Sequence, residues 1–350
     1  MQRRDFFLTA AAGIAAAAGT IRPGFAQGQG AAPPATPPPA GGRGPAGPLT
    51  PVKSNPRNPK AARIAMMTLN FGGWIKDVPD VQPNPYRTLA FFDLPQMVAD
   101  VYDVHNIEFQ SANFESHSPA YFKSLRAALE KSKSRATQIN AEFGALSMAA
   151  PQVGQRLQAI ALTKHMIDCA VLLGAQRVMV NQGQGTLGST NLPQAIAAFK
   201  EMSDYGKSKK IIVSIETRLI GGGAAAAPAP GAPPAPPPRT DLPKIGLETW
   251  QQNAALIKGA GAYANPDVGN TNAMNQQELH QCLSKELLFP TAGSMHSRIF
   301  PTNAQGEKRW DLTEAIKYVN GLGYTGIFTA EGGGGHEACQ PIYDAILAAL

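Results

Sequence analysis

Four residues with metal-binding side chains follow short apolar runs in the second half of this 350-residue chain: Glu216, Asp267, His296 and Glu331. A charged group directly after an apolar strand run is poorly placed for a hydrophobic core. Each side chain is therefore either a local cap or ion-pair partner, or a member of a shared site. Three carboxylates and one imidazole suit Mn²⁺, Co²⁺ or Mg²⁺ better than a zinc-thiolate centre does. If the four runs are neighbouring strands, the sequence predicts one divalent-metal site.

Parallel strands are the elements that would bring these side chains together. Short apolar runs alternate with segments whose apolar residues recur every three or four positions, which is typical of alternating strands and helices. The eight strand candidates are residues 64–67, 104–109, 137–143, 178–180, 211–215, 261–265, 292–295 and 326–329. Helical segments include 121–131, 155–173, 193–205, 249–258 and 313–320. This order predicts a single-domain (β/α)8 TIM barrel, in which active sites lie at the C-terminal ends of the strands.

The spacing of the strand ends supports the barrel. With the polar residues that follow each run included, the strand ends lie near residues 70, 110, 143, 181, 216, 267, 297 and 331. Six of the seven steps between successive ends then measure 30 to 40 residues, which suits one strand, one helix and two loops. The remaining step, from 216 to 267, contains a low-complexity Gly/Ala/Pro stretch at 221–239, which we interpret as a loop insertion after the fifth strand. Residues 27–60 are also rich in Pro, Gly and Ala and predict a disordered linker before the barrel domain, 61–350. A doubly wound open sheet is the alternative, but no glycine-rich dinucleotide fingerprint follows the first strand.

Composition and charge exclude several classes of protein. Hydrophobic residues make up 43% of the chain and charged residues 16%, and much of the excess of glycine and proline lies in residues 31–50 and 221–238. The remainder therefore has the composition of a globular domain. Three cysteines without close spacing form neither a disulfide framework nor a zinc-thiolate cluster. A scattered net charge of +6 gives no basic patch for nucleic acid.

The N-terminal segment, residues 1–26, has the features of an export signal. It combines Arg3-Arg4, an apolar run too short to span a membrane, and small residues before a cleavage point after residue 26. The run RRDFFL at residues 3–8 resembles a twin-arginine signal. That resemblance implies a partnership with the twin-arginine export machinery, folding and metal loading before export, and a periplasmic or secreted protein without a stable membrane anchor. A generic secretory signal is the alternative.

The four metal-binding residues also resemble a known site in order, spacing and context. Glu216, Asp267, His296 and Glu331 look like the Glu–Asp–His–Glu site of the xylose isomerase-like sugar isomerases and epimerases, a group that includes tagatose and psicose 3-epimerases. The intervals are 51, 29 and 35 residues, and the sequence Gly-Tyr-Thr-Gly-Ile-Phe-Thr-Ala precedes Glu331. The resemblance covers the chain from about residue 63 to its end. It implies a divalent-metal cofactor, with Mn²⁺ expected first and Co²⁺, Mg²⁺ or Zn²⁺ as alternatives.

The resemblance implies proton transfer next to the carbonyl of a small sugar or glycoside. In such a site the metal polarises the carbonyl and stabilises an enediolate. Glu216 and Glu331 would be the catalytic base and acid, in an order that the sequence leaves open. Return of the proton to the other face gives an isomerase or epimerase, whereas loss of a leaving group gives a keto-sugar or keto-glycoside lyase or hydratase. A non-catalytic sugar-binding barrel is the third alternative, and a homo-oligomer is compatible with all of them.

Polar residues at two other strand ends are candidates for substrate binding. Glu108 lies in an alternating run that could point its carboxylate into the barrel, as a contact to the substrate or next to the metal. Asn181 and Gln182 follow the fourth apolar run and would offer amide hydrogen bonds to sugar hydroxyls, or else cap a loop.

Two positions depart from the pattern of the sugar 3-epimerases. These enzymes typically carry a histidine three residues after the metal aspartate and an arginine six residues after the metal histidine. Here the corresponding residues are Asn270 and Thr302. Arg298, two residues after His296, is our candidate to replace the missing arginine, and both Asn270 and Arg298 are predicted substrate contacts. The departure makes the epimerase assignment weaker than the assignment of the metal site.

Overall fold

The computed structural model of the chain describes residues 58–76, 87–141, 146–181, 191–217, 247–271, 273, 275–298, 309–332 and 336–350. The predicted export signal, nearly all of the predicted linker, the insertion at 221–239 and Gln182 lie outside the described residues. A short 3-10 turn, Pro59–Arg63, leads into the first strand.

Strands and α-helices alternate along the described part of the chain, eight of each. The strands are β1 (Ile64–Met67), β2 (Asn106–Gln110), β3 (Arg135–Ala141), β4 (Arg177–Val180), β5 (Ile212–Glu216), β6 (Tyr263–Asn265), β7 (Ser294–Ser297) and β8 (Ile327–Ala330). The helices are α1 (Leu94–Tyr102), α2 (Pro119–Lys131), α3 (Val153–Leu173), α4 (Leu192–Ser208), α5 (Leu247–Ala260), α6 (Gln276–Glu286), α7 (Leu312–Gly321) and α8 (His336–Ala349).

The strands form one parallel sheet in the order β6-β5-β4-β3-β2-β1-β8-β7. β6 and β7, at the two ends of this order, are joined by isolated parallel bridges that pair Ala264 with Thr291 and Asp267 with His296. Each strand therefore lies beside the strands that precede and follow it in the chain, and the ring closes between the sixth and the seventh. The predicted (β/α)8 barrel is confirmed.

The hydrophobic core lies between the strands and the surrounding helices. In β2, Ile107 and Phe109 belong to this core, and the Phe109 ring lies 5.9 Å from the rings of both Phe91 and Phe114. Burying each such ring contributes roughly 1.5–3 kcal/mol. The residue between them, Glu108, faces the other way, into the barrel, because successive side chains of a strand point to opposite faces. None of the helices in the described part of the chain combines the length and apolarity that a bilayer crossing requires.

Three arginines tie the strands together at the N-terminal end of the barrel. Arg63 Nε donates to the carbonyl of Gly326 at 3.1 Å, just before β8. Arg135 Nε donates to Asn106 Oδ1 at 2.7 Å, which joins the starts of β3 and β2. Arg177 Nε donates to the carbonyl oxygen of residue 292, just before β7. Polar groups at this end of a barrel serve stability, which leaves the opposite end for chemistry.

Gly206 gives a direct test of how closely α4 packs on β5. A Cβ atom at this position would lie 2.7 Å from both the Ile211 carbonyl oxygen and Val213 Cγ2. We expect Gly206→Ala to lower the free energy of unfolding by about 1–3 kcal/mol, because the clash outweighs the gain in helix propensity. Denaturant unfolding measures the change. Gly154→Ala in α3 is the control, since nothing lies within 4 Å of its Cβ position. Equal stability of the two variants would contradict this packing.

Candidate metal centre

Strand ends at one end of the barrel bring Glu216, Asp267, His296 and Glu331 together. Glu216 ends β5, Asp267 follows β6, His296 lies in β7 and Glu331 follows β8. Main-chain hydrogen bonds hold these ends in register: the His296 amide donates to the residue-266 carbonyl at 2.8 Å, and the Glu331 amide to the residue-297 carbonyl at 3.1 Å. All four side chains are buried, and one ligand atom from each lies within 4.8 Å of the others. The structure thus places the four sequence-predicted ligands around one point.

His296 lies among three carboxylates. Its Nδ1 is 2.9 Å from Glu331 Oε2 and 3.3 Å from Glu216 Oε1. Its Nε2 is 2.6 Å from Glu108 Oε1. The Nδ1 side of the ring therefore faces the other candidate ligands, and the Nε2 side faces Glu108.

The guanidinium of Arg298 reaches into the same cluster. Its Nη2 lies 2.6 Å from Glu331 Oε1, 2.8 Å from Asp267 Oδ2 and 3.4 Å from Glu216 Oε1. A single cationic group thus contacts all three candidate carboxylate ligands. Arg298, predicted from the sequence as a substrate contact, therefore lies beside the candidate metal ligands. The positive charge offsets the repulsion among the carboxylates.

The carboxylate oxygens in this cluster fit a divalent ion. Asp267 Oδ2 and Glu331 Oε2 are buried and accept no hydrogen bond from the described residues. Asp267 Oδ2 forms an ion pair with Arg298, and Glu331 Oε2 forms one with His296. Asp267 Oδ1, in contrast, accepts the Gly269 amide at 2.7 Å, which orients the carboxylate. Buried carboxylate oxygens without hydrogen bonds are costly unless a cation satisfies them. The three carboxylates and the single imidazole nitrogen of the cluster are the hard donors that Mn²⁺ and Mg²⁺ accept.

Without a divalent cation, the electrostatics of the cluster favour the protonated forms of His296 and Asp267. Burial acts to lower the pKa of His296, but the carboxylates of Glu108 and Glu331 outweigh it and raise that pKa well above its ordinary value. Burial raises the pKa of Asp267 to about 7; Arg298 opposes this shift, and Glu331 and Glu216 reinforce it. A divalent ion must therefore displace protons to bind.

We expect metal affinity to fall as the pH falls. The ion displaces the proton that the neighbouring carboxylates favour on His296, so the Kd should rise by up to about tenfold per pH unit lost. Below pH 7 Asp267 is also protonated, since its pKa is about 7, and the slope should steepen towards about a hundredfold per unit. Mn²⁺ titration calorimetry at pH 6, 7 and 8, in two buffers of different ionisation enthalpy, measures both the affinity and the protons released. An affinity independent of pH would contradict this picture.

Three other predicted residues occupy different positions at this end of the barrel. Asn270 ends the 3-10 turn Val268–Asn270, which follows Asp267, and its amide donates to the Asp267 carbonyl at 3.1 Å. Its buried side-chain Nδ2 donates no hydrogen bond within the described residues. Asn181 directly follows β4 and is half-buried. Glu108 is fully buried against His296. Of its two predicted roles, a contact to the substrate or a position next to the metal site, this location favours the second.

Several polar side chains beside Glu108 were not predicted from the sequence. Glu108 accepts hydrogen bonds from residues of three other strands: Gln138, Asn140, Ser294 and Thr329. Ser294 and Thr329 stand two positions before His296 and Glu331, and Gln138 two positions before Asn140. A polar residue at every second position of a strand was the pattern that could have identified them, since such residues share one face.

Asn70 is a further residue that the sequence analysis missed. It lies in the 3-10 turn Thr68–Phe71 after β1. Its Nδ2 donates to the Ala330 carbonyl at 2.8 Å, and its Oδ1 accepts the Gly332 amide. These two bonds hold the backbone on both sides of Glu331. Asn70 therefore fixes the segment that carries one of the four candidate ligands.

No protein-family model matches this chain, and no curated protein matches it. Solved structures do. A D-tagatose 3-epimerase-like protein aligns with 13% identity and a TM-score of 0.55 over 82% of this chain and 98% of its own. D-psicose 3-epimerase from Clostridium cellulolyticum H10, solved with D-tagatose, aligns with 10% identity and a TM-score of 0.55 over 82% and 96%. A xylose isomerase-like TIM barrel protein from Mycobacterium smegmatis, in complex with magnesium, aligns with 17% identity and a TM-score of 0.52 over 83% and 98%. The chain therefore shares the fold of the xylose isomerase-like TIM barrels.

Proposed function

We propose that this protein is an exported, divalent-metal-dependent sugar isomerase or epimerase that abstracts a proton next to a carbonyl. The observation that carries the proposal is the convergence of Glu216, Asp267, His296 and Glu331 within 4.8 Å at the C-terminal end of the barrel. Active sites of TIM barrels lie at this end. The likeness in fold to solved ketose 3-epimerases supports the substrate class, a small sugar or glycoside.

The four converging side chains would hold the ion. Their hard oxygen donors and single nitrogen favour Mn²⁺, with Co²⁺, Mg²⁺ or Zn²⁺ as alternatives. The solved neighbour in complex with magnesium supports a hard divalent ion. When bound, such an ion supplies Lewis-acid polarisation of the carbonyl beside the carbon that loses its proton.

Glu216 and Glu331 are the candidates for proton transfer. They enter from β5 and β8, and both lie against His296, at 3.3 and 2.9 Å. One carboxylate takes the proton from the carbon, and the electron pair of the broken C–H bond moves towards the carbonyl oxygen. The other carboxyl group then returns a proton to the opposite face, and the pair moves back to form the new C–H bond. The product is an isomer of the substrate with every atom conserved.

Arg298 and Asn270 are the residues we propose for substrate binding. The guanidinium of Arg298 carries five N–H donors that match sugar oxygens, and its Nη2 lies among the three candidate carboxylate ligands. The buried Nδ2 of Asn270 lies in the turn that follows Asp267 and donates no hydrogen bond to a described residue. Asn181, at the end of β4, would be a more peripheral contact, and Gln182 follows it in the chain.

The test of this function uses the purified protein without its leader. Elemental analysis measures bound metal, and incubation in heavy water with a panel of ketoses and keto-glycosides measures deuterium uptake. Stoichiometric metal and a deuterated isomer of unchanged connectivity would support the proposal. Cleavage of a C–O bond would indicate the lyase alternative, and sugar binding without exchange would indicate a binding barrel. The absence of both metal and exchange would refute the metal-dependent enzyme.

Export is the second part of the proposal. It rests on the sequence of residues 1–26, with Arg3-Arg4 ahead of a short apolar run. A twin-arginine route would deliver the folded, metal-loaded protein to the periplasm or beyond. Mass spectrometry of the protein recovered from the periplasmic fraction tests this, since export predicts a chain that begins after residue 26.

A further inference from the structure

We propose that Glu108 positions His296 for metal binding and so sets the metal affinity of the site. The inference rests on the proposed metal-dependent function and assigns a role to a buried acid that the proton transfer does not use. Glu108 lies 188 residues from His296 in the chain, yet its Oε1 is 2.6 Å from the imidazole Nε2. Both side chains are 0% exposed, so the contact is sealed from solvent and from substrate.

The carboxylate of Glu108 is held by a full set of donors. Besides His296 Nε2, Oε1 accepts Asn140 Nδ2 at 2.7 Å and Gln138 Nε2 at 3.3 Å. Oε2 accepts Thr329 Oγ1 at 2.7 Å and Ser294 Oγ at 3.4 Å. Five hydrogen-bond donors around one buried carboxylate stabilise its ionised form. Glu108 is thus a fixed anion, which matches a role in orientation.

The contact decides which nitrogen of His296 can bind a metal. An ionised carboxylate only accepts hydrogen bonds, so the hydrogen of the imidazole is kept on Nε2. When a metal ion displaces the proton on Nδ1, the lone pair of that nitrogen faces Glu216 and Glu331, at 3.3 and 2.9 Å, where the other ligands converge. Carboxylates that accept the second N–H of a metal-binding histidine fix its tautomer and ring orientation and increase its basicity.

The backbone of β2 and β3 is shaped around this residue. The register of the two strands shifts between Ile107 and Glu108, so that Ile107 pairs with Ala136 but Glu108 with Gln138. Thr137 is the extra residue, and its Oγ1 donates to the Ile107 carbonyl at 3.2 Å. Irregularities of this kind re-aim side chains next to active sites. Here the shift places Gln138 opposite Glu108 and within hydrogen-bond distance of it.

The experiment compares Mn²⁺ affinity in three proteins: the parent, Glu108→Gln and Glu130→Gln. Glutamine keeps the size of the buried side chain and removes its charge. We expect the Kd of Glu108→Gln to rise by about 10- to 100-fold, with an altered absorption spectrum of the Co²⁺ form because the imidazole is no longer held in place. Glu130 is an exposed residue of α2 that pairs with Arg126, so Glu130→Gln should bind like the parent.

The outcomes separate this inference from the proposed function. If the parent binds no metal, the proposed function fails first. If the parent binds metal and Glu108→Gln binds it equally well with an unchanged Co²⁺ spectrum, only the role of Glu108 is refuted. If Glu108→Gln does not fold, Thr329→Val carries the test, because it removes one donor to Glu108 and keeps every charge. Its Kd should then rise about tenfold, and an unchanged value would overturn the inference.

Discussion

Glu216→Gln should slow the interconversion of two ketose epimers by about 10²- to 10⁴-fold, because it removes one of the two groups that we propose to move the proton. Glutamine retains the size of the side chain and an oxygen that can approach a metal, but it cannot take a proton from carbon. NMR of the product sugar measures the rate. A Glu216→Gln protein that forms the epimer at the parent rate would contradict the assignment.

The pairing of Glu216 with Glu331 predicts an asymmetry that a single base would not produce. In Glu216→Gln, Glu331 can still take a proton from one face of the reacting carbon. One of the two epimers should therefore still exchange that hydrogen for deuterium without forming the other epimer, and the second epimer should not exchange. Glu331→Gln should show the reverse preference. Exchange lost from both epimers in one variant, with the other variant unaffected, would indicate a single base. Glu130→Gln, on the exposed face of α2, should exchange both epimers at the parent rate.

His296→Ala should lose bound metal, with a rise in Kd of more than about 100-fold. Removal of a residue that only supports a metal ligand lowers metal affinity by about 10- to 100-fold, and His296 is itself a candidate ligand. Its imidazole is the single nitrogen donor of the cluster, set between Glu216 and Glu331. Elemental analysis and Mn²⁺ titration measure the loss, and epimer formation should disappear with the metal.

Folding must be separated from metal loss in this variant. Without the imidazole, Glu108 remains buried without its cationic partner, which costs about 3–5 kcal/mol. Asp267→Asn is therefore the second variant, because asparagine retains an oxygen that can accept the Gly269 amide bond. His280→Ala is the control, since His280 lies on α6 and stacks on Tyr318 of α7. Parent-like metal content in folded His296→Ala and Asp267→Asn would refute the centre.

Most of the fold could be predicted from local patterns. The apolar runs and three- to four-residue periodicities located all eight strands, because in a parallel barrel each strand is buried on both faces and is followed by a helix with an apolar stripe. The named helical segments did not include α1, α6 or α8. α6 is mostly polar, and its buried residues are Leu279, Cys282 and Leu283, so its apolar stripe is too narrow to stand out in the sequence.

The four candidate ligands could also be predicted from the sequence. Glu216, Asp267, His296 and Glu331 each end or closely follow an apolar run, and parallel strands bring their C-terminal ends to one rim of the barrel. The order of the strands is enough to bring these residues to one rim, whatever the exact register. Contacts between particular residues depend on that register, which local patterns do not reveal.

Contacts across the barrel depended on the tertiary structure. Glu108 meets His296, and Arg298 meets three carboxylates, because of how far each strand is staggered against its neighbours. The register shift beside Glu108 has no marker in the sequence of β2 or β3. The barrel and the donors at its rim follow from the sequence alone, because hydrophobic periodicity is a local property. Which donor faces which depends on the folded barrel, because stagger and closure arise when all eight strands pair.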